Sequence, residues 1–165
     1  MSEEQGDIKA IVTPTKLVYE WTATGAQADF LTEIAKGKLI GQKCPSCEMV
    51  YCPPSGNCAR CGVETTEVVQ VQDKGTVTTF CIVRVPSENI DLELPYCAAQ
   101  ILLDGADIPF FGLIQECDWE EVRMGMRVEA VWKPKSEWRL SAENISHFKP
   151  SGEPDVPFER FKEHL

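Results

Sequence analysis

The sequence predicts a mainly β chain with an N-terminal helix, a four-cysteine ribbon and a small five-stranded barrel, flanked by an extended arm and a tail. Three observations predict it. Two Cys-x-x-Cys knuckles, Cys44/Cys47 and Cys58/Cys61, stand ten residues apart. After Gly62, short apolar runs alternate with Pro, Gly, Asp and Asn, the pattern of successive strands and turns. Ahead of the cysteines, one segment has helical spacing. Short strands with little helix over about 85 residues favour a small barrel, and the OB type has the right size.

The elements follow in order. Residues 1–25 have weak periodicity, with Tyr19 and Trp21 in a polar, Thr-rich context, and read as an extended arm carrying aromatic anchors for a partner. Residues 26–37 read as a helix, with Phe30, Leu31 and Ile34 on one side and Gly37 as the stop. That side serves either the chain's own core or a partner. Residues 38–66 make the ribbon, where KLIGQKC is a strand into the first knuckle and MVYCPP a strand out of it.

Residues 67–148 make the barrel from EVVQVQ, TVTTFCIVRV, YCAAQILL, PFFGLIQ, MRVEAVW and EWRLSAENIS. In MRVEAVW, Met126, Val128, Ala130 and Trp132 alternate with Arg127, Glu129 and Val131, which is period two. TVTTFCIVRV is apolar on both faces, as for a strand covered on both sides. DWEEVRMGM reads as one helical turn with Asp118 as N-cap, Glu121 completing a capping box and Gly125 as exit. Residues 149–165 read as a tail in which Phe158, Phe161 and Leu165 form a stripe, either packed at home or docked on a partner.

The knuckles carry the clearest chemistry. A Cys-x-x-Cys turn aims both sulfurs at one ion about 2.3 Å away, and two such turns complete a closed tetrahedral site. Cys44, Cys47, Cys58 and Cys61 are therefore expected to bind one structural Zn2+, although four thiolates also suit iron. Cys52 lies outside either knuckle, and using it would leave one knuckle half engaged. It reads, with Cys81, Cys97 and Cys117, as a small buried hydrophobe.

Composition bounds the rest. At 165 residues and 43% hydrophobic, the chain can bury a real core. A net charge of −10 argues against a nucleic-acid partner, which calls for a basic footprint. The ribbon region is the exception, with Lys36, Lys38, Lys43 and Arg60 against Glu48 alone. These cations are either solvated or face an anionic ligand. The start MSEEQGDIKA is polar, and apolar runs reach only about seven residues, so neither a signal peptide nor a membrane span is expected. Eight cysteines without an export signal point to a reducing cytoplasm. The two histidines, His147 and His164, lie near the end, and no catalytic motif is recognisable.

FLTEIAKGKLIGQKCPSC, VYCPP, CARCG, DKGTV and DWEEVRMGMRVEAVW, in this order over about Phe30 to Trp132, resemble one family. It is the zinc-ribbon plus OB-fold family once filed as a domain of unknown function, whose members accompany acyl-CoA enzymes. The resemblance implies a helix, a rubredoxin-like ribbon holding zinc on Cys44, Cys47, Cys58 and Cys61, and an OB barrel. It also implies a non-catalytic subunit of a thiolase or thiolase-like aldolase, or alternatively of an acyl-CoA hydratase, helping to hold a CoA thioester. Lys36, Lys38, Lys43 and Arg60 become candidates to meet CoA phosphates or acidic partner groups. Tyr19, Trp21, Phe30, Leu31, Ile34, Phe158 and Phe161 become candidates for the partner interface. A single-stranded nucleic-acid module and a free-standing hydratase or thioesterase are the competing readings.

Overall fold

A computed structural model describes Leu17, Glu20 and residues 22–87 and 90–165. The expected arm anchors Tyr19 and Trp21 lie outside the described residues. Thr24 caps the first element: its side chain accepts from the Gln27 amide at 3.4 Å, and Gln27 Oε1 accepts from the Thr24 amide at 3.0 Å. Helix α1 then runs Gly25–Ile34. Phe30 and Ile34 are buried and Leu31 packs against the same cluster, so the apolar side faces the chain's own core and not a partner. Gly37 has φ +77°, and a Cβ there would lie 2.5 Å from Trp138 Cη2, so both handedness and packing demand glycine.

Strands β1 (Leu39–Lys43), β2 (Val50–Tyr51) and β3 (Glu67–Val71) form an antiparallel sheet in the order β2-β1-β3. EVVQV, expected as the first barrel strand, thus belongs to the ribbon sheet, because it pairs along the whole of β1. The closed barrel is β4 (Lys74–Val83), β5 (Tyr96–Leu103), β6 (Phe110–Ile114), β8 (Ile145–Pro150) and β7 (Arg127–Trp132), in that order. Its centre is Phe148, Ile101, Leu103, Val77 and Val128. That core is continuous with Phe30, Ile34, Leu39, Ile40, Cys52 and Val71, so helix, ribbon base and barrel share one apolar interior. Gly112 lets two elements approach, since a Cβ there would lie 2.7 Å from the Phe148 ring.

Three local expectations are corrected. EWRLSAENIS is not one strand: 3₁₀ turns occupy Lys135–Glu137 and Ala142–Asn144, and β8 begins at Ile145 and continues to Pro150. Ser141 causes part of this, because its hydroxyl accepts from the Glu143 amide at 3.1 Å and caps the second turn. In β4, Thr79, Phe80 and Cys81 are exposed, since nothing among the described residues covers that outer face. DWEEVRMGM holds only a 3₁₀ turn, Trp119–Glu121, and Asp118 accepts from the Glu120 amide at 3.1 Å in place of an N3 partner.

The tail is tied down. Val156 N–H donates to Gly125 O at 2.8 Å, and Phe161 is buried, while Phe158 stays half exposed. The expected stripe therefore splits, because 3₁₀ turns at Phe158–Arg160 and Lys162–His164 replace a continuous helix. Arg127 anchors the segment leading there, reaching Asp104 at 2.6 and 2.7 Å and Glu153 at 2.9 Å. Lys74 (2.8 Å away) and Arg127 hold the Glu153 carboxyl below its ordinary value of 4.5. A depressed carboxyl contributes stability above that ordinary value and loses it as pH falls through the folded value. Glu153→Gln is accordingly expected to narrow the gap between urea midpoints at neutral and at acidic pH; an unchanged gap would remove the network from the acid response.

Candidate metal centre

Each knuckle is built by the same backbone pattern. Cys44 N–H donates to Met49 O at 2.9 Å and Glu48 N–H to Cys44 O at 3.0 Å; Cys58 N–H donates to Val63 O and Gly62 N–H to Cys58 O, both at 2.8 Å. The fourth residue after each leading cysteine turns the chain at positive φ, Glu48 at 64° and Gly62 at 69°. These turns bring the sulfurs of Cys44, Cys47, Cys58 and Cys61 within 4.8 Å of one another, with Cys47 and Cys58 3.6 Å apart. A zinc–thiolate tetrahedron with arms near 2.3 Å has edges of about 3.8 Å, so the donor set fits a zinc ion. Cys44 and Cys58 are buried, and Cys47 and Cys61 are half-buried, which closes the site.

Hydrogen bonds to sulfur orient the ligands. Ser46 and Cys47 amides approach Cys44 Sγ at 3.4 and 3.5 Å, and the Cys61 amide approaches Cys58 Sγ at 3.3 Å. The Tyr51 hydroxyl lies 3.2 Å from Cys58 Sγ and accepts from the Ala59 amide at 3.0 Å. Tyr51 is the main reason that the Cys58 thiol is drawn down to about 6. At Cys47 the Met49 amide pulls downward, but burial and the neighbouring sulfurs push that thiol up to about 12. Four sulfurs this close cannot all ionise without a cation between them. Tyr51→Phe is expected to keep the fold and weaken zinc binding about 10–100-fold, as removal of an outer-shell partner does; chelator competition reads it.

Cys52 is fully buried in the main core, and burial pushes its thiol up to about 12, which suits an inert side chain and not a ligand. Cys97 is likewise buried, with its thiol pushed up to about 11, and Cys117 is half-buried. Cys81 is exposed, unlike the other three.

The four candidate cations do not assemble. Lys36 pairs with Glu33 at 2.6 Å and Lys43 with Glu48 at 3.1 Å. Lys38 lines a shallow depression beside Trp132. Arg60 alone among them lines a cavity of about 640 Å³ between ribbon and barrel, whose walls include Met49, Thr79, Gln100, Ile108 and His164. Asp107 holds the two walls together: its amide donates to Val50 O at 2.9 Å and its carboxylate accepts from the Val50 amide at 2.8 Å. His164 Nδ1 lies 2.8 Å from Asp107 O and brings the tail to the rim. Neither Asp107 nor Tyr51 stood out in the sequence. Asp107 sits 57 residues from its partner, a separation no local pattern spans.

Residues 32–67 match the family model of the ChsH2 rubredoxin-like zinc ribbon domain, and residues 68–133 that of the ChsH2 C-terminal OB-fold domain. A DUF35 domain-containing scaffold protein of Methanocaldococcus jannaschii is 38% identical over 97 residues, covering 58% of this chain and 67% of that one. A protein of the same description from Pyrococcus furiosus is 32% identical over 96 residues, covering 58% and 69%. Among solved structures, a chain of the Ltp2-ChsH2(DUF35) aldolase superposes with a TM-score of 0.60 at 18% identity, covering 80% of this chain and 99% of that one. A DUF35-family protein of unknown function from Sulfolobus solfataricus gives 0.59 at 19% identity, covering 77% and 86%. Those two likenesses show a common fold. With its four-cysteine ribbon seated on a closed five-stranded barrel, the chain belongs to the DUF35 family of ChsH2-type zinc-ribbon and OB-fold proteins.

Proposed function

We propose that the chain is a zinc-stabilised accessory subunit of an acyl-CoA-processing complex, whose Claisen or retro-aldol chemistry belongs to a thiolase-like partner. The observation that carries this reading is the ribbon–barrel groove. Arg60 offers a cation for a phosphate, and Met49 and Ile108 offer apolar wall for the arm of a CoA thioester. The zinc fixes one wall and the barrel the other, so the metal supports a surface and does no chemistry. The likeness to archaeal DUF35 scaffold proteins and to a chain of the Ltp2-ChsH2(DUF35) aldolase supports the same reading.

Lys36, Lys38 and Lys43 are assigned to solvent or to acidic partner groups outside the groove. Exposed Phe158, together with Tyr19 and Trp21 of the arm, is assigned to the partner interface, and the complex to the cytoplasm. No helix among the described residues is long and apolar enough to cross a membrane. Co-expression with a thiolase-like acyl-CoA enzyme from the same genome tests the proposal. The pair should co-purify in a fixed ratio, and turnover should fall when this chain is omitted. Separate elution with unchanged turnover would refute the accessory role, whereas a hydratase in the complex would correct only the partner's chemistry.

A further inference from the structure

Where β6 and β8 meet in the barrel, two backbone irregularities lie together. Across the β7–β8 ladder Val131 faces His147 and Trp132 faces Ile145, which leaves Ser146 as the extra residue of a β-bulge. Neighbouring side chains of a regular strand point to opposite faces. Here the bulge brings Ser146 Oγ to 3.1 Å from Nδ1 of His147. The second irregularity is Glu116, two residues beyond β6, at φ +58°, a conformation uncommon for any residue but glycine. It stands by the seam where β6 and β8 touch through a single pair, Ile114 and Phe148.

From that position a Glu116 carboxylate oxygen lies 3.0 Å from Nε2 of His147, and Lys149 Nζ lies 3.6 Å from the other oxygen. His147, then Lys149, hold the Glu116 carboxyl below its ordinary range, so it is an ionised acceptor. A carboxylate only accepts, so a neutral imidazole here carries its proton on Nε2, which leaves the Nδ1 lone pair to accept from the Ser146 hydroxyl. A nucleophile, a base within hydrogen-bond reach and a third group orienting the base is the arrangement that activates serine. Ser146 and His147 also line an apolar cavity of about 230 Å³ walled by Phe110, Leu113, Ile145 and Phe148, enough for a short acyl chain.

We propose that Ser146, His147 and Glu116 form an acyl-accepting site that takes a short acyl group from a thioester lodged in this cavity. Ser146 Oγ bonds to the acyl carbon as its proton passes to His147 Nδ1. The carbon–sulfur bond breaks, and the departing thiolate takes that proton. The products are O-acyl-Ser146 and a free thiol, with no change of oxidation state. General-base activation of this kind contributes about 10²–10⁴-fold, so a slow, stoichiometric acylation is expected.

The full-length, zinc-loaded chain is incubated with the acetyl thioester of N-acetylcysteamine, followed by intact mass, peptide mapping and thiol release. Ser146 should gain one acetyl group, removable by hydroxylamine, with one equivalent of thiol released. Ser146→Ala should abolish that ester. His147→Gln should slow its formation at least tenfold, Glu116→Gln should slow it too, and Glu116→Asp should restore most of the rate. Glu116→Gln serves as the deciding variant if His147→Gln loses its native circular dichroism. An absent ester at Ser146, acetylation confined to lysines, or a wild-type rate in the deciding variant would each overturn the site.

Discussion

Cys58→Ser is expected to lower bound zinc from one ion per chain to none and to unfold the knuckle end of the ribbon while the ribbon base and barrel, which share one core, persist. The ribbon has almost no interior of its own, its buried cluster being Cys44, Tyr51 and Cys58. Structural zinc contributes about 10–16 kcal/mol in isolated finger peptides, against a total stability of about 5–15 kcal/mol for an ordinary domain. Losing even half of that contribution leaves the knuckles with only the small Cys44, Tyr51 and Cys58 cluster to hold them. Cys58 is also the sulfur to which Tyr51 and the Cys61 amide point, so its loss removes a ligand and its orienting contacts together. Cys47→Ser should behave alike. Cys52→Ser is the control: zinc should remain at one per chain, and stability should fall by about 1–3 kcal/mol because a hydroxyl replaces a thiol in an apolar site. Metal analysis of purified variants with urea unfolding separates the cases, and zinc loss in Cys52→Ser would show the ligand set to be wrong.

Asn144→Ala carries the second large effect, expected at about 1–3 kcal/mol, since a buried polar group left without its hydrogen bond costs about that much. Asn144 is fully buried. Its amide group donates to Ile34 O at 3.2 Å and to Arg139 O at 2.7 Å, and its side-chain carbonyl accepts from the Arg139 amide at 3.0 Å. One side chain thus joins the end of α1 to the β7–β8 connection, 110 residues away. Truncation removes the acceptor of the Arg139 amide and breaks the link between the two segments, although Ile34 O keeps the Gly37 N–H at 3.0 Å and Arg139 O keeps the Ser141 N–H at 2.8 Å. Thermal unfolding and hydrogen exchange at Ile34 and Arg139 read the result. A loss below 1 kcal/mol with protection intact at both residues would mean that the joint is held otherwise.

These residues also show where sequence reading stops. The knuckles were legible because their spacing is local and metal geometry is strict. YCAAQILL and the alternation in MRVEAVW were legible because strand period is written into each strand. β3 opens the stretch that matches the OB-fold family model, yet it pairs with the ribbon sheet, because both sheets accept an EVVQV pattern and only its pairing with Leu39–Lys43 decides between them. Ile34 and Phe30 show the same limit, since an apolar helix side does not say what covers it. Asn144, Asp107 and the Ser146 bulge were invisible because each depends on a partner in another element. Arg60 was visible as one of four cations, yet nothing local set it apart from Lys36 and Lys43, which pair with Glu33 and Glu48.

The central claim is that the zinc-braced groove holds a CoA thioester while a partner performs the reaction. Steady-state turnover of the reconstituted complex carrying Arg60→Glu tests it most directly, with assembly and zinc content checked beforehand. The account predicts an intact complex whose KM for the acyl-CoA rises at least tenfold, the ~1.4 kcal/mol expected when a charged contact is reversed, with kcat largely kept. An intact complex with unchanged KM, or a partner that turns over fully without this chain, would contradict it.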